Sequence, residues 1–243
     1  MLAQPPTSSQ ADTLARRARS AARRLLAGAG TASVVAFRRE GRPSAESVHH
    51  AWLQDALLVG LPADAVADWS DDGQAVDVRL DIESSAPTYE WRVTAQSLHA
   101  LGTLHGLSGP GRGAIRWATL QIDQAFLHDP FGVHAVADAC AADRDPAFPG
   151  PADALAVQET LAGHGPEFLA ELFERAPIRC RTRRACADLG VCGRTLLMDA
   201  DACGLTLGAF DEDHVVSALI PFDRPLTSAD ALEHALEAVL AQA

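Results

Sequence analysis

Six β-rich segments follow one another through the first half of the chain, and they constrain its fold more than any other feature. They cover 31–39, 44–53, 55–61, 75–82, 91–107 and 113–129. Turns such as "EGRP" and "SGPGRG" separate them, with almost no helix between. Short connections favour antiparallel pairing, and closing the sheet on itself removes its open edges. The pattern therefore predicts a six-stranded antiparallel β-barrel.

A helix precedes this barrel and a second unit follows it, which predicts an α+β fold. Residues 1–10 are rich in Pro, Ser and Gln and predict a disordered tail, and the apolar spacing of 12–30 predicts a helix. The barrel domain is expected over 11–145, ending at the proline-rich "DPAFPGP". The second domain, 152–243, is predicted to consist of a helix over 152–175, a three-stranded antiparallel sheet and a last helix.

Composition excludes several classes of function. All 20 basic residues are arginine, so the chain cannot form a Schiff-base lysine or the lysine-containing loop that binds phosphate. A net charge of −12 argues against nucleic-acid binding, which depends on neutralising phosphates. No apolar run reaches the roughly 18–20 residues of a membrane helix. With five cysteines, an odd number, and no signal-peptide pattern, we expect a cytoplasmic protein with reduced thiols.

The C-terminal segment carries a pattern that resembles a known family. An Asp-x-x-Gly hairpin at Asp201–Gly204 is followed by "IPF" at 220–222 and by "PLTS" at 225–228, just before the last helix. Over residues 196–240 this pattern resembles the C-terminal domain of bacterial HugZ-type haem-utilisation proteins. In that family the domain follows a split β-barrel like that of pyridoxamine-phosphate oxidase. The helix and six strands of 12–129 are similar to that barrel in topology.

The resemblance implies a homodimer and a choice of cofactors. Split barrels of this type usually pair as homodimers, often with FMN at the interface, and HugZ-type members bind haem. The family pattern His-Met-Asn-x-Asp-His falls on residues 164–169 here, where His164 is the shared residue. The leading hypothesis is therefore a haem- or tetrapyrrole-binding protein without an assigned catalytic activity. The alternatives are an FMN-dependent oxidoreductase and a cofactor-free regulatory or interaction module.

Several side chains are candidates to hold haem. His164 begins a predicted helix, where it could ligate iron or simply flank the helix and face water. His49 and His50 lie on opposite faces of a strand, so one should point inward and the other outward. A group of arginines could pair with the propionates or form a solvated loop. These arginines are Arg179, Arg181, Arg183 and Arg184.

The spacing of two other sets of residues does not by itself indicate a metal site. His99 and His105 share a strand face at a separation of about 20 Å, which is too far for one metal ion unless the strand bends. The cysteines of the second domain are spaced more widely than the two to four residues typical of structural zinc ligands, which leaves metal binding open. They are Cys180, Cys186, Cys192 and Cys203.

Overall fold

The structure is a computed structural model that describes residues 7–36, 45–53, 56–63, 75–87, 93–106, 114–137, 148, 150–183 and 190–241. Its helices are α1 (Ser8–Leu26), α2 (Pro151–Gly163), α3 (Pro166–Arg175) and α4 (Ala231–Ala241). Its strands are β1 (Thr31–Ala36), β2 (Ala45–Leu53), β3 (Ala56–Pro62), β4 (Val76–Ser85), β5 (Thr94–His105), β6 (Ile115–Asp129), β7 (Gly132–Ala135), β8 (Ile178–Arg183), β9 (Thr195–Asp201), β10 (Gly204–Phe210) and β11 (His214–Pro221).

Helix α1 begins earlier than the sequence pattern predicts. The Thr7 hydroxyl accepts a hydrogen bond from the backbone N–H of Gln10, and the Gln10 side chain accepts one from the backbone N–H of Thr7. This reciprocal capping box starts the helix at Ser8. The assignment of residues 8–10 to a disordered tail is therefore wrong, because a polar segment that is poor in apolar residues can still supply the cap.

The barrel has the predicted six antiparallel strands. Pairing runs in the order β3-β2-β1-β4-β5-β6, and a further pairing of β3 with β6 closes the circle. β7, which the sequence analysis did not predict, pairs with the end of β6. Alternate side chains fill the interior, among them Val34, Val59, Leu80 and Leu98, none of which is exposed. The apolar side of α1 packs against the same core.

Strand β5 is irregular at Gly102, the glycine in the middle of the predicted strand 91–107. The pairing of β5 with β6 shifts register between Leu101 and Gly102, which is a β-bulge. A Cβ at position 102 would overlap the carbonyl oxygen of Gln121. Glycine is needed here because the backbone of β6 approaches it directly.

The second unit contains an antiparallel sheet of four strands in the order β8-β11-β10-β9. The prediction of three strands omitted β8. β8 pairs with β11 from Ile178 to Arg183. Its sequence, "IRCRTR", contains too few apolar residues to indicate a strand, but an edge strand needs only a partner for its backbone.

The helix predicted over 152–175 is two helices. α2 ends at Gly163, His164 is its C-cap, and Gly165 has a φ of 78° in the left-handed region. Pro166 then begins α3. Glycine followed by proline interrupts a helix because one adopts the left-handed turn and the other lacks an N–H donor.

A buried ionic network joins α1 to both sheets. The Arg17 side chain is 1% exposed and bonds the carboxylates of Asp129 and Asp199, the latter at 3.4 Å. Its Nη2 also donates to Oε1 of Gln96 at 3.1 Å. Arg24, about two turns further along the same side of the helix, bonds Asp199 as well. Arginine is suited to this position because its planar group can serve several carboxylates at once.

An apolar cluster lies beside this network and contains residues from both units. Val93 and Ala95 come from the barrel side, and Met198, Phe210 and Val215 come from the second sheet. The two units therefore share an apolar contact as well as an ionic one. Within the described residues, no helix combines the length and the apolar character needed to span a bilayer.

Candidate functional site

The residue that the family pattern singled out, His164, lies on the surface. It is exposed at the corner between α2 and α3, and its ring stacks on Phe168 with the centroids 4.3 Å apart. Arg179, a predicted propionate partner, lies beyond the other end of α3, a helix of ten residues, which spans roughly 15 Å. His164 and Arg179 are thus at opposite ends of one helix.

The predicted arginines differ in their surroundings. The Arg179 guanidinium donates to the carbonyls of Phe173 and Glu174 at 2.8 and 2.5 Å, so it caps the end of α3. Arg181 is exposed on β8. Arg183 is the last residue of that strand, and Arg184 lies outside the described residues.

The histidine pair on β2 divides as the alternation predicts. His49 is exposed, whereas His50 is half-buried and its Nε2–H donates to the carbonyl of Leu25 at 2.6 Å. Burial lowers the pKa of His50 and outweighs the opposing effect of that hydrogen bond. The ring is therefore neutral at pH 7, with only Nδ1 available to a metal.

The three cysteines that the structure describes differ in their exposure to solvent. Cys192 is exposed, Cys180 is half-buried and Cys203 is buried, and Cys186 lies outside the described residues. Burial raises the pKa of both Cys180 and Cys203, so these thiols remain protonated at neutral pH. Among the residues that the structure describes, no three His, Cys, Asp or Glu side chains are arranged to hold a metal ion.

A different histidine, on β5, has the geometry of a metal ligand. Asp81 of β4 lies directly opposite His99, and its Oδ1 accepts a hydrogen bond from Nδ1–H of His99 at 2.6 Å. Arg79 donates to the other carboxylate oxygen of Asp81 from Nε at 2.9 Å and from Nη2 at 2.8 Å. Histidines that bind metals usually donate their second N–H to a carboxylate in this way, which fixes the ring and leaves Nε2 basic.

The surroundings of His99 are partly apolar. Phe126 of β6 is directly opposite it, Leu101 is two residues along β5, and both are more than a third exposed. The ring of His128 meets the ring of His99 edge to face, with the centroids 4.8 Å apart. We call the surface formed by Arg79, Asp81, His99, Leu101, Phe126 and His128 the His99 face. It places a partly exposed imidazole beside two partly exposed apolar side chains.

The same strand also places a serine beside His99, but the backbone of β5 does not supply the oxyanion site that a hydrolytic triad needs. Ser97 Oγ is 3.5 Å from Nε2 of His99, and the order Ser97, His99, Asp81 resembles that of a serine hydrolase. A triad also needs backbone N–H groups that point at the reacting oxygen. β5 is paired with β4 on one side and with β6 on the other, so its N–H groups are used in the sheet.

A cavity of about 330 Å³ adjoins this face between the barrel and the second sheet. Ser97 and His128 line its outer part, and Gln96 and Ser217 line its interior. Nε2 of Gln96 and Oγ of Ser217 are buried and have no hydrogen-bond partner among the described residues. Buried polar atoms in a cavity of this size are normally satisfied by water or by polar groups of a ligand.

From the sequence, His99 was compared only with His105, which shares its strand face. The contact of His99 with Asp81 was therefore not predicted. The two histidines share one strand, but the residues that matter come from the neighbouring strands. Alternation indicates which face a residue occupies, whereas the pairing of His99 with Asp81 and Phe126 depends on strand register.

Comparison with known proteins supports the fold along the whole chain. No protein-family model matches the sequence, and no curated protein matches it either. Among solved structures, a haem-binding protein from Mycobacterium smegmatis has a TM-score of 0.54 and 16% identity, covering 99% of this chain and 98% of its own. A protein of unknown function from Agrobacterium tumefaciens has a TM-score of 0.39 and 16% identity, covering 98% of this chain and 100% of its own.

Proposed function

We propose that this protein binds haem, or a tetrapyrrole closely related to it, on the His99 face, with Nε2 of His99 as the iron ligand. The observation that carries the proposal is the hydrogen bond between Nδ1 of His99 and the carboxylate of Asp81. It holds the ring in one tautomer and makes Nε2 a stronger base towards iron. No catalytic step is assigned to the site.

The remaining residues of the face suit the two chemical parts of haem. The porphyrin ring is flat and apolar, and it would cover Leu101 and Phe126, whose exposure to water is otherwise unfavourable. Propionates are anionic, and Arg79 on the same face carries a guanidinium that is 43% exposed. The exposed Arg181 of β8, proposed from the sequence, is a second candidate for that role.

Two independent similarities favour the same ligand. The fold neighbour from Mycobacterium smegmatis is a haem-binding protein, and its similarity extends over nearly the full length of both chains. The sequence pattern over residues 196–240 resembles haem-utilisation proteins of the HugZ type. We also propose a homodimer, in which a second copy would cover the solvent side of a porphyrin on this exposed face.

Titration with hemin tests the proposal, because an imidazole ligand shifts the Soret band of the porphyrin. We expect saturable binding with a shifted Soret band in the wild-type chain and loss of the shift in His99→Ala. His105→Ala is the matched control, since it removes an exposed histidine from the same strand. Asp81→Asn should keep the shift but weaken binding by about 10- to 100-fold, as expected when the partner of a ligating histidine is lost.

The same titration decides between the His99 proposal and its competitors. If His164→Ala, His49→Ala or His50→Ala abolishes the shift and His99→Ala does not, the ligand is one of the histidines proposed from the sequence. Binding of FMN in place of hemin would favour the oxidoreductase alternative. A chain that responds to neither ligand would favour the cofactor-free module and would refute haem binding.

A further inference from the structure

Two histidine rings meet on the outer surface of the barrel, within the His99 face. His99 of β5 and His128 of β6 lie edge to face, with 4.8 Å between the ring centroids and 84° between the ring planes. A metal ion about 2.0–2.1 Å from each ligating nitrogen would hold two imidazoles, at the bond angles of tetragonal or tetrahedral sites, with their centroids roughly 4.5–5.2 Å apart. The two rings are therefore spaced as ligands of one ion.

The free nitrogen of His99 faces the part of the sheet that contains His128. Nδ1–H of His99 donates to Asp81 at 2.6 Å, which leaves the lone pair of the ring on Nε2. Oγ of Ser97 lies 3.5 Å from this Nε2, and His128 is directly opposite Ser97 in the pairing of β5 with β6. Nε2 of His99 and the ring of His128 are thus both neighbours of one serine hydroxyl.

Oxygen donors are available beside the two rings. Ser97 supplies its hydroxyl, and Glu83 of β4 is directly opposite Ser97 on the other side. Glu83 is exposed, and its carboxylate would have to rotate to become a ligand, because no three ionisable side chains of the described residues converge on one point. Two imidazole nitrogens combined with hydroxyl, carboxylate or water oxygens are a donor set typical of tetragonal copper(II) sites.

The surroundings of the two rings favour a cation. The carboxylate of Asp81 fixes the ring of His99 and makes Nε2 a stronger base, as carboxylates do behind metal-binding histidines. His128 is exposed and the side chain of His99 is 37% exposed, so an ion can reach both rings from solvent. The net charge of −12 also attracts cations to the chain as a whole.

We propose that His99 and His128 together bind one divalent copper ion, through Nε2 of His99 and one ring nitrogen of His128, with Ser97 and water as oxygen donors. Copper(II) is the first-row divalent ion that sites of nitrogen and oxygen ligands bind most tightly. The site shares His99 with the proposed haem site, but it needs no porphyrin and adds His128, which the proposed iron bond does not use. Copper binding therefore goes beyond the proposed function.

Electron paramagnetic resonance of the haem-free chain with one equivalent of Cu²⁺ tests the proposal, because each ligating imidazole nitrogen splits the copper signal. We expect the coupling pattern of two nitrogens in the wild-type chain and of at most one in His99→Ala and in His128→Ala. Each substitution should also weaken copper binding by at least about tenfold, since loss of even the hydrogen-bond partner of a ligating histidine costs about 10- to 100-fold.

His105→Ala is the matched control, because it removes an exposed histidine from the same strand, six residues from His99. It should leave both the nitrogen count and the copper affinity unchanged, and thermal unfolding checks that each variant is folded. A wild-type signal with fewer than two nitrogens, or a two-nitrogen signal that persists in His128→Ala, overturns the proposal.

Titration with hemin separates this result from the proposed function. His128→Ala should keep the Soret shift of hemin, because the proposed iron bond uses only Nε2 of His99. Absence of copper binding with an intact Soret shift would overturn the copper site alone. Two-nitrogen copper binding without any Soret shift would instead refute haem binding and support the copper site.

Discussion

At the scale of single residues, the buried carboxyl of Asp201 makes the stability of the folded chain depend on pH. Oδ1 of this buried carboxyl accepts hydrogen bonds from the backbone N–H groups of Cys203 at 2.6 Å and Gly204 at 3.2 Å. Oδ2 has no hydrogen-bond partner among the described residues. Burial raises the pKa of Asp201 to about 6, against the opposing charge of Arg17.

This raised pKa predicts a specific pH dependence of stability. Between about pH 4 and pH 6 the folded chain keeps a proton that the unfolded chain has lost, so the contribution of Asp201 to stability declines as the pH rises through 6. Asp201→Asn retains the oxygen that accepts both backbone bonds and cannot ionise. At each pH we compare the urea midpoint of Asp201→Asn with that of the wild type. We expect the variant's advantage over the wild type to be larger at pH 7.5 than at pH 4.

The control is Asp230→Asn, at an exposed position just before α4. Its midpoint relative to wild type should change much less between the two pH values. An Asp201→Asn difference that is equal at pH 4 and pH 7.5, or larger at pH 4, would show that folding does not raise the pKa of Asp201.

Residue-level prediction from the sequence succeeded where chain neighbours decide the outcome and failed where strand register decides it. The opposite orientations of His49 and His50 follow from alternation along one strand, and the structure places them accordingly. The contact between His99 and Asp81 joins residues 18 positions apart. Only the register of β4 against β5 brings them together.

At the scale of elements, glycine positions decide where strands and helices bend. Gly102 marks the bulge of β5, and Gly165 turns the chain between α2 and α3. The sequence indicated the first because a glycine interrupted a long strand. It did not indicate the second, since apolar spacing continues across residues 152–175 and masks the break. β8 was missed because three of its six residues are arginine and only Ile178 is a large apolar residue.

The bulge gives a sharp test of barrel packing. Gly102→Ala places a methyl group against the carbonyl oxygen of Gln121, so the strands must separate locally. We expect a loss of about 1–3 kcal/mol in the free energy of unfolding, as is typical of an overpacked core. Thermal or urea unfolding measures it.

Gly163→Ala provides the control for that substitution. Gly163 is the last residue of α2, and a Cβ there would meet nothing within 4 Å. Alanine should leave the stability unchanged or raise it by roughly 0.5–1 kcal/mol, because glycine is a poor helix former. If Gly102→Ala were as mild as Gly163→Ala, β5 and β6 would not approach each other as closely as the structure shows.

At the scale of the whole molecule, two apolar cores are joined by one ionic and one apolar interface. The barrel core and the core of the second sheet contain separate sets of residues. Arg17 links them, since it bonds Asp129 of the barrel and Asp199 of the second sheet. Burial alone would raise the pKa of Asp129, but a hydrogen bond from His134 and the charge of Arg17 lower it below its usual value.

Removing Arg17 should therefore weaken both units together. Arg17→Met keeps much of the side-chain volume but leaves two buried carboxylates without their shared cation, and such a loss costs about 3–5 kcal/mol. We expect a large fall in the urea midpoint of unfolding. Arg16→Met, at an exposed neighbouring position, should change stability by no more than about 0.5 kcal/mol. Equal midpoints for wild type and Arg17→Met would contradict the role given to this network.

The homodimer remains a prediction at this scale, and the binding of haem by the barrel is the central claim. The most direct measurement is the crystal structure of the complex with hemin, which identifies the axial ligand of the iron. We expect a bond between the iron and Nε2 of His99, with the porphyrin packed against Leu101 and Phe126. Iron bound to His164, His49 or His50, or a porphyrin located away from the His99 face, would contradict it.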